Sequence, residues 1–292
     1  MTAILLAAAL AFSREDARVS YDTARLLVDE CTPRDAGTVR GKIAANRILD
    51  AASSAGADAR LDRFEALTPR GLRIFHNVYA EFAVRQSADW TVIVSHFDTK
   101  PGVKCPGAND GASTSGLLVG IANMLSRWRT PKGNVMLVWT DGEECMESYT
   151  ADDGLWGSKR AVKELRRRGY RVKAVICLDM LGDRDLAIKI PRNSSPALAD
   201  IAIFAAEQAG EKGLVERSNE LVKDDHVPFL DAGMKAIDLI DFEYGSAPGK
   251  NDYWHSPEDT MDKVSERSLM RSGKIVAEMI NVLLARNDDF MR

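Results

Sequence analysis

The chain has 292 residues, a net charge of −4, 45% hydrophobic residues and 28% charged residues. This composition is typical of a soluble globular protein, and the mixed charges give no reason to expect a nucleic acid or an anionic membrane as partner. A chain of this length buries about three quarters of its unfolded surface, so any metal that it holds is expected to be catalytic rather than structural.

An apolar run covers residues 3–12, directly before the charged residues Arg14, Glu15 and Asp16. The run is too short to span a membrane as a helix, but it has the length of the apolar core of a signal peptide. No lysine or arginine precedes it, although a signal peptide normally has one. We expect residues 1–13 to form the signal peptide of a secreted or periplasmic protein. The alternative is a buried first helix in a cytoplasmic protein.

The next segments predict two helices and then a β-hairpin. Apolar residues recur with helical spacing over residues 21–30 and 41–55. Apolar and polar residues then alternate over residues 59–67 and 72–84, on either side of the turn sequence Thr68-Pro69-Arg70-Gly71. Alternation interrupted by such a turn is the pattern of two antiparallel strands.

Beyond the hairpin, short apolar runs alternate with helical segments. The predicted strands are residues 91–95, 134–139, 173–178 and 235–240, and the predicted helices are residues 112–128, 155–168, 195–209 and 265–284. Continuous Val, Ile and Leu runs are typical of parallel strands that are buried on both faces. We therefore expect an α/β fold: a mostly parallel mixed central sheet, flanked by helices in three layers, with the hairpin at one edge. Residues 14–292 are expected to form a single domain.

Neither the basic stretch nor the cysteines of the chain predict a binding or catalytic site. The basic stretch of residues 163–171 is interpreted as the solvated end of a helix. The four cysteines form no CxxC pair, so they do not resemble a zinc-binding framework, and whether two of them form a disulfide stays open.

Ionisable side chains follow the predicted strands where each strand ends. In open α/β sheets, ligands bind at this edge. The residues concerned are His96 and Asp98, Asp141, Glu143 and Glu144, Asp179, and Asp238 and Asp241, joined by Asp110 and His255 in two loops. One such acid could simply cap a helix, but many carboxylates in one low-dielectric site repel each other unless a cation or protons neutralise them. Mixed histidine and carboxylate ligands suit zinc, so the sequence predicts a zinc site at this edge.

Five motifs, in this order, resemble the M28 family of zinc aminopeptidases and their glutaminyl cyclase relatives. They are Ser95-His96-Phe97-Asp98, GANDGAS at residues 107–113, DGEE at residues 141–144, Leu178-Asp179-Met180, and WHSPEDT at residues 254–260. The resemblance implies that His96, Asp110, Glu144, Asp179 and His255 can hold up to two zinc ions, with Asp110 bridging. It also implies that Glu143 is the general base.

Two activities on peptide N-termini stay open within this resemblance. An aminopeptidase would use two zinc ions, with Glu143 activating a water that attacks the first peptide bond. A glutaminyl cyclase would use one zinc ion, held by Asp110, Glu144 and His255, to convert an N-terminal glutamine into pyroglutamate. Glu143 would then move a proton from the α-amine to the departing ammonia.

Three features resemble the cyclases more closely. The segment 145–158 is longer than the usual peptidase connection, Asp224 begins a DDHxPF stretch in which the cyclases have a catalytic aspartate, and Trp254 matches an aromatic that lines the cyclase pocket. Tyr149 stands where the cyclases often have another pocket tryptophan. We therefore expect a cyclase in which Glu143, Asp179 and Asp224 share protons. The aminopeptidase is the alternative, and a non-catalytic binding module is disfavoured because the ligand set is complete.

Overall fold

Eight strands form one mixed sheet in the part of the chain that the computed structural model describes, residues 10–84, 87–128 and 133–285. The strands are β1 (Asp58–Thr68), β2 (Gly71–Phe82), β3 (Asp89–His96), β4 (Asn134–Thr140), β5 (Arg171–Asp179), β6 (Ile188–Ile190), β7 (Val215–Arg217) and β8 (Ala236–Ile240). Their order across the sheet is β1-β2-β4-β3-β5-β8-β6-β7. The central strands β4, β3, β5 and β8 are parallel, as their apolar runs predict.

The predicted hairpin lies at the sheet edge. Strands β1 and β2 pair antiparallel from Asp58 opposite Glu81 to Thr68 opposite Gly71, and β2 pairs antiparallel with β4. The Thr68 hydroxyl closes the turn, because it accepts from the Arg70 amide at 3.1 Å and donates to the Gly71 carbonyl at 2.7 Å. The hairpin therefore extends the parallel sheet by two strands.

Helices cover both faces, which confirms the three-layer α/β prediction. They are α1 (Arg14–Cys31), α2 (Val39–Ser54), α3 (Thr114–Ser126), α4 (Trp156–Arg167), α5 (Pro196–Gln208), α6 (His226–Asp231) and α7 (Glu266–Ala285). Helices α1, α2, α3, α5 and α7 pack in one core on one face. Helices α4 and α6 pack in a second core on the other face. The short elements β6, β7 and α6 were not predicted.

The predicted signal peptide, residues 1–13, lies mostly outside the described residues, since the first nine are not among them. Leu10 and Phe12 are buried in the α1–α7 core. The Leu10 backbone exchanges two hydrogen bonds with the Asn281 side chain, at 3.1 and 2.9 Å. A Cβ at Gly273 would lie 2.3 Å from the Phe12 ring, so only glycine admits this contact. The end of the apolar run is thus part of the folded domain.

Two further observations concern the whole described chain. The four cysteines are all free and buried. Within the described residues, none of the helices combines the length and the apolar character that a membrane crossing requires.

Candidate active site

The predicted site residues meet at the carboxyl edge of the parallel strands. His96 and Asp179 are the last residues of β3 and β5, and Glu143 and Glu144 follow β4. Asp110 and His255 arrive from loops. Because β4, β3, β5 and β8 are parallel, their carboxyl ends lie at one edge of the sheet, so residues far apart in sequence become neighbours there.

Three of these side chains form a first cluster. The Nε2 atom of His255 lies 2.6 Å from Oε1 of Glu144 and 3.2 Å from Oδ2 of Asp110. One ligand atom from each of the three residues lies within 4.8 Å of the other two, so a single metal ion could contact all three. Oxygen and imidazole nitrogen donors in this number suit a catalytic zinc site.

A second cluster shares Asp110 with the first. The Nε2 atom of His96 lies 3.2 Å from Oδ1 of Asp110 and 3.2 Å from Oδ1 of Asp179. Asp110 therefore presents one carboxylate oxygen to each cluster, as a bridging ligand would. The geometry can accommodate one or two metal ions.

The loop that carries Asp110 needs glycine at the next position. Asp110 is extended, and Gly111 has a φ of +87° inside the turn Ala108–Ser113. A Cβ at Gly111 would come within 2.9 Å of the Asp98 carbonyl oxygen and 3.1 Å of the His96 ring. Because glycine tolerates this φ and has no side chain, it lets the loop pass close to His96.

Asp259 fixes the same loop from the opposite side. Its carboxylate accepts from the backbone amides of Asn109 at 2.7 Å and Asp110 at 3.2 Å, and from the Tyr244 hydroxyl at 2.7 Å. Asp259 was not identified as a functional residue from the sequence, although it lies in the WHSPEDT motif. Its position in that motif was the signal that could have identified it.

Asp98 holds the turn that carries the two glutamates. Its carboxylate accepts from the backbone amides of Gly142, Glu143 and Glu144, at 2.9, 3.1 and 3.2 Å. The sequence placed Asp98 among the ionisable residues at the strand ends, with helix capping as an alternative; the structure shows it capping this turn instead. Three amide donors from consecutive residues orient Glu143 and Glu144 in different directions.

Arg34 was not identified from the sequence. Its buried guanidinium donates to the carbonyl oxygens of Phe97, Pro106, Gly107 and Asp110. These contacts hold the segment between β3 and Asp110 against the N-terminal helices. No local motif marks Arg34, since all its partners lie more than 60 residues away.

Glu143 lies beside the first cluster and shares the Tyr149 hydroxyl with Glu144. The Tyr149 hydroxyl lies 2.9 Å from both carboxylate oxygens of Glu143 and 3.3 Å from Oε2 of Glu144. Burial, and then the charge of Glu144, raise the pKa of Glu143 well above its ordinary value. A carboxyl group with a raised pKa holds a proton more readily than an ordinary glutamate, as a general acid–base catalyst requires.

Glu143 shares a small pocket with Asp179 and Asp224, in addition to the metal-site acids Asp110 and Glu144. The pocket has a volume of about 220 Å³, and its lining includes Glu143, Tyr149, Asp179, Asp224 and Trp254. Burial raises the pKa of Asp179 to about 6 and that of Asp224 to about 7. In each case neighbouring carboxylates add to the effect of burial, and this favours the protonated form of these acids over their simultaneous ionisation.

Trp254 is both a pocket wall and a packing partner. Its ring stacks on His255 with centroids 3.9 Å apart and an interplanar angle of 23°, and it meets Phe242 edge-on at 5.6 Å. Its side chain is 37% exposed at the pocket mouth. His226, in contrast, is buried in the core 2.9 Å from the Asn193 amide nitrogen, and burial lowers its pKa to about 4.

The electrostatics of the first cluster favour a cation. Burial alone would lower the pKa of His255, but hydrogen bonds to Asp110 and Glu144 outweigh it and raise the pKa to about 9. Carboxylates that hold a proton so firmly on an imidazole would hold a divalent ion in its place. The residues present therefore fit a metal ion.

Comparisons with known proteins agree with this geometry. The sequence profile of Peptidase family M28 matches residues 77–280. A glutaminyl-peptide cyclotransferase of Drosophila melanogaster is 26% identical over 260 residues, which cover 78% of this chain and 70% of that protein.

Solved structures with the same fold include two bacterial glutaminyl cyclases. The crystal structure of an Acidobacteriales bacterium glutaminyl cyclase has a TM-score of 0.88 and 30% identity, covering 98% of this chain and 100% of that one. The Porphyromonas gingivalis glutaminyl cyclase has a TM-score of 0.82 and 25% identity, covering 93% and 98%.

Proposed function

Because the chain belongs to the M28 peptidase family, we propose that it is a zinc-dependent glutaminyl-peptide cyclotransferase. It would convert the N-terminal glutamine of a peptide or protein into pyroglutamate and release ammonia. The observation that carries the proposal is the presence of Glu143, Asp179 and Asp224 together in one small pocket beside Asp110, Glu144 and His255. The cyclases among its relatives support the same activity.

Asp110, Glu144 and His255 would hold the zinc ion. When bound, zinc supplies Lewis-acid polarisation of a carbonyl group, here that of the glutamine side-chain amide. The pocket volume of about 220 Å³ is below the roughly 300–1,000 Å³ of sites for drug-sized ligands, which suits a single side chain. Trp254 and Tyr149 would form its walls.

Glu143 would move the proton that the reaction must transfer. Cyclisation forms a bond between the α-amine nitrogen and the side-chain carbonyl carbon, and it breaks the bond from that carbon to the amide nitrogen. The carboxylate of Glu143 would take a proton from the α-amine and give it to the departing nitrogen, which leaves as ammonia. Tyr149 would orient Glu143 for both transfers through its hydroxyl.

Asp179 and Asp224 would act as partners of Glu143. With one zinc ion, the carboxylates of the pocket outnumber the positive charges, so some of them must be protonated. The raised pKa values of Asp179 and Asp224 support this sharing. A shared proton lets Glu143 change its protonation state without leaving a full extra charge in a buried site.

The second candidate is a two-zinc aminopeptidase. The cluster of His96, Asp110 and Asp179 favours it, because these residues could hold a second metal ion. In that case Asp179 would be a zinc ligand rather than a proton partner. The two functions therefore differ in what Asp179 does.

Metal content and two activities distinguish the candidates. We would measure zinc per chain by mass spectrometry, ammonia release from a Gln-Ala-Ala peptide, and hydrolysis of leucine amide. One zinc ion with ammonia release is the expected result. Two zinc ions together with hydrolysis of leucine amide would show that the protein is an aminopeptidase. If the protein binds no zinc and has neither activity, it is a non-catalytic binding module.

We also infer that the protein is secreted or periplasmic, on the basis of the apolar run at residues 3–12. Since Leu10 and Phe12 are buried in the domain core, processing would have to leave both in place. N-terminal sequencing of the exported protein tests this. An unprocessed chain found only in the cytoplasm would contradict export, whereas a mature chain that starts after Phe12 would confirm export and show that the domain folds without Leu10 and Phe12.

A further inference from the structure

A second concave surface lies beside the catalytic pocket, between helices α4 and α6. We call it the α4–α6 groove. Its apolar floor includes Leu155, Val162 and Pro228, and its volume is about 540 Å³. This volume lies within the roughly 300–1,000 Å³ of sites that hold small ligands or a few residues of a peptide.

Basic side chains surround this floor. The groove is lined by Lys159, Lys163, Arg166 and Lys223, against the single acid Asp231. The groove lining is therefore positively charged, whereas the chain as a whole has a net charge of −4. The basic stretch 163–171 thus divides: Arg167 and Arg168 pair with Glu164, while Lys163 and Arg166 line the groove.

The four groove cations have no ion-pair partner within the described residues. Three of them donate to backbone carbonyls instead: Lys159 to Ala151 and Gly154, Arg166 to Ala232, and Lys223 to Tyr149. Burial lowers the pKa of Lys159, and the like charges of Lys223 and Lys163 act in the same direction, while the carboxylates of Asp152 and Asp153 oppose them in part. Four cations against the one acid Asp231 leave the lining of the groove with a net charge of +3, so its potential is positive.

The groove and the catalytic pocket adjoin each other at Lys223. This residue lines both, and its ammonium donates to the Tyr149 carbonyl at 3.0 Å. Tyr149 lines the pocket, and the next residue, Thr150, lines the groove. A chain whose first residue sits in the pocket can therefore leave across Lys223 and enter the groove.

We propose that the α4–α6 groove binds the residues that follow the N-terminal glutamine of the substrate, and that it selects peptides with Asp or Glu there. This inference rests on the proposed function, because it requires the N-terminal residue to occupy the pocket. An extended peptide advances about 3.3 Å per residue, so its second to fourth residues would span about 10 Å. Their carboxylates would pair with Lys163 and Arg166, and their aliphatic carbons would cover the apolar floor.

Three peptides of equal length test this selection: Gln-Ala-Glu-Glu-Ala, Gln-Ala-Gln-Gln-Ala and Gln-Ala-Lys-Lys-Ala, all with amidated C-termini. Glutamine amide, which has no downstream residues, is the reference substrate. For each enzyme we would measure kcat/KM by ammonia release and divide it by the value for glutamine amide. The acidic peptide is expected to exceed the neutral one by about 3- to 10-fold and the basic one by more, with both ratios falling as salt is added.

The double variant Lys163→Gln/Arg166→Gln is expected to bring the acidic-to-neutral ratio close to one. Its matched control is Arg267→Gln/Lys274→Gln, which removes the same charge from α7 on the opposite face of the sheet and should keep the wild-type ratio. Binding of a fluorescent pyroglutamyl-Ala-Glu-Glu-Ala product should weaken in the groove variant alone.

The outcomes separate the two proposals. If glutamine amide and the neutral peptide are turned over but the acidic peptide has no advantage, or the groove variant keeps that advantage, the groove assignment is overturned and the cyclase activity stands. If no glutamine substrate releases ammonia, the proposed function fails, and the substrate preference that depends on it fails too.

Discussion

The imidazole Nε2 of His255 lies 2.6 Å from Oε1 of Glu144, although 111 residues separate the two along the chain. The same nitrogen lies 3.2 Å from Oδ2 of Asp110. Two buried carboxylates thus converge on one imidazole, and either a proton or a metal ion must balance their negative charge.

Removal of zinc is expected to lower the melting temperature as well as turnover. A ligand that binds only the folded state at 1,000 times its Kd stabilises that state by about 4 kcal/mol, which corresponds to a shift of several degrees. Calorimetry on chelated protein, with and without added zinc, measures the effect. In Asp110→Asn the added zinc should raise the melting temperature little; an equal rise in both proteins would contradict the ligand assignment.

Glu143→Gln is expected to keep zinc bound and to lose turnover by about 10²- to 10⁴-fold. The substitution preserves the shape of the side chain but removes its ability to take up a proton, and general acid–base catalysis contributes about that factor. Ammonia release and zinc per chain are measured on the same preparation. The matched control is Glu147→Gln, an exposed glutamate three residues from Glu144, which should keep wild-type turnover. Substantial activity in Glu143→Gln would show that another group moves the proton.

Tyr149→Phe is expected to shift the pH dependence of kcat/KM. The hydroxyl donates to the Glu143 carboxylate at 2.9 Å and thereby favours its ionised form. A hydrogen bond to a charged group contributes about 1.5–3 kcal/mol, so its loss should raise the pKa of Glu143 by about one unit or more. The acidic limb of the profile should therefore move to higher pH. An unchanged limb with a higher KM alone would instead assign Tyr149 to substrate binding only.

Glu164, which lies away from the metal site, is expected to make the free energy of unfolding depend on pH. Hydrogen bonds from Arg167, partly opposed by burial and reinforced by Arg168, lower the pKa of Glu164 to about 2. A lowered folded-state pKa means that the carboxylate stabilises the fold above its unfolded pKa of about 4.3, and that this contribution is lost as the pH falls towards 2. Glu164→Gln should therefore lower the free energy of unfolding by about 1–3 kcal/mol at pH 7 and by much less near pH 2.

Urea unfolding of wild type and Glu164→Gln at pH 7 and pH 2.5 measures this difference. The control is Glu65→Gln, which breaks the Arg63–Glu65 pair, whose side chains are 54% and 46% exposed. That exposed pair should contribute less than about 1 kcal/mol at either pH. A Glu164→Gln effect that does not depend on pH would show that packing, rather than charge, carries its contribution.

The longer elements were predictable because each contains enough residues to display a period. The 20 residues of α7 show the helical period, and the 11 residues of β1 show the alternation of a strand. The apolar runs of β3 and β4 identified the parallel strands at the centre of the sheet. Strands β6 and β7 have three residues each and α6 has six, which is too short for a period to stand out. Their positions depend on packing against β8 and on backbone pairing that sequence periodicity does not report.

The candidate metal ligands could be predicted from the sequence, whereas the residues that hold their loops in place could not. Asp110, Glu144 and His255 stand in short motifs with recognisable residue types, and the structure brings all three together. The role of Asp98 depends instead on amides 44 to 46 residues away, and Asp259 bonds amides about 150 residues away. Such contacts are fixed by the tertiary fold, because a carboxylate can accept from any amide that packing presents to it.

Arg34 has a practical consequence for anyone who wishes to shorten the protein. A fragment cut to the residues that match the family profile, 77–280, would delete this guanidinium along with β1. The carbonyl oxygens of Phe97, Pro106 and Gly107 would lose their common donor, and the loop leading to Asp110 would lose its attachment. The smallest unit able to hold the catalytic loop in place therefore begins upstream of Arg34, in helices that contribute no ligand themselves.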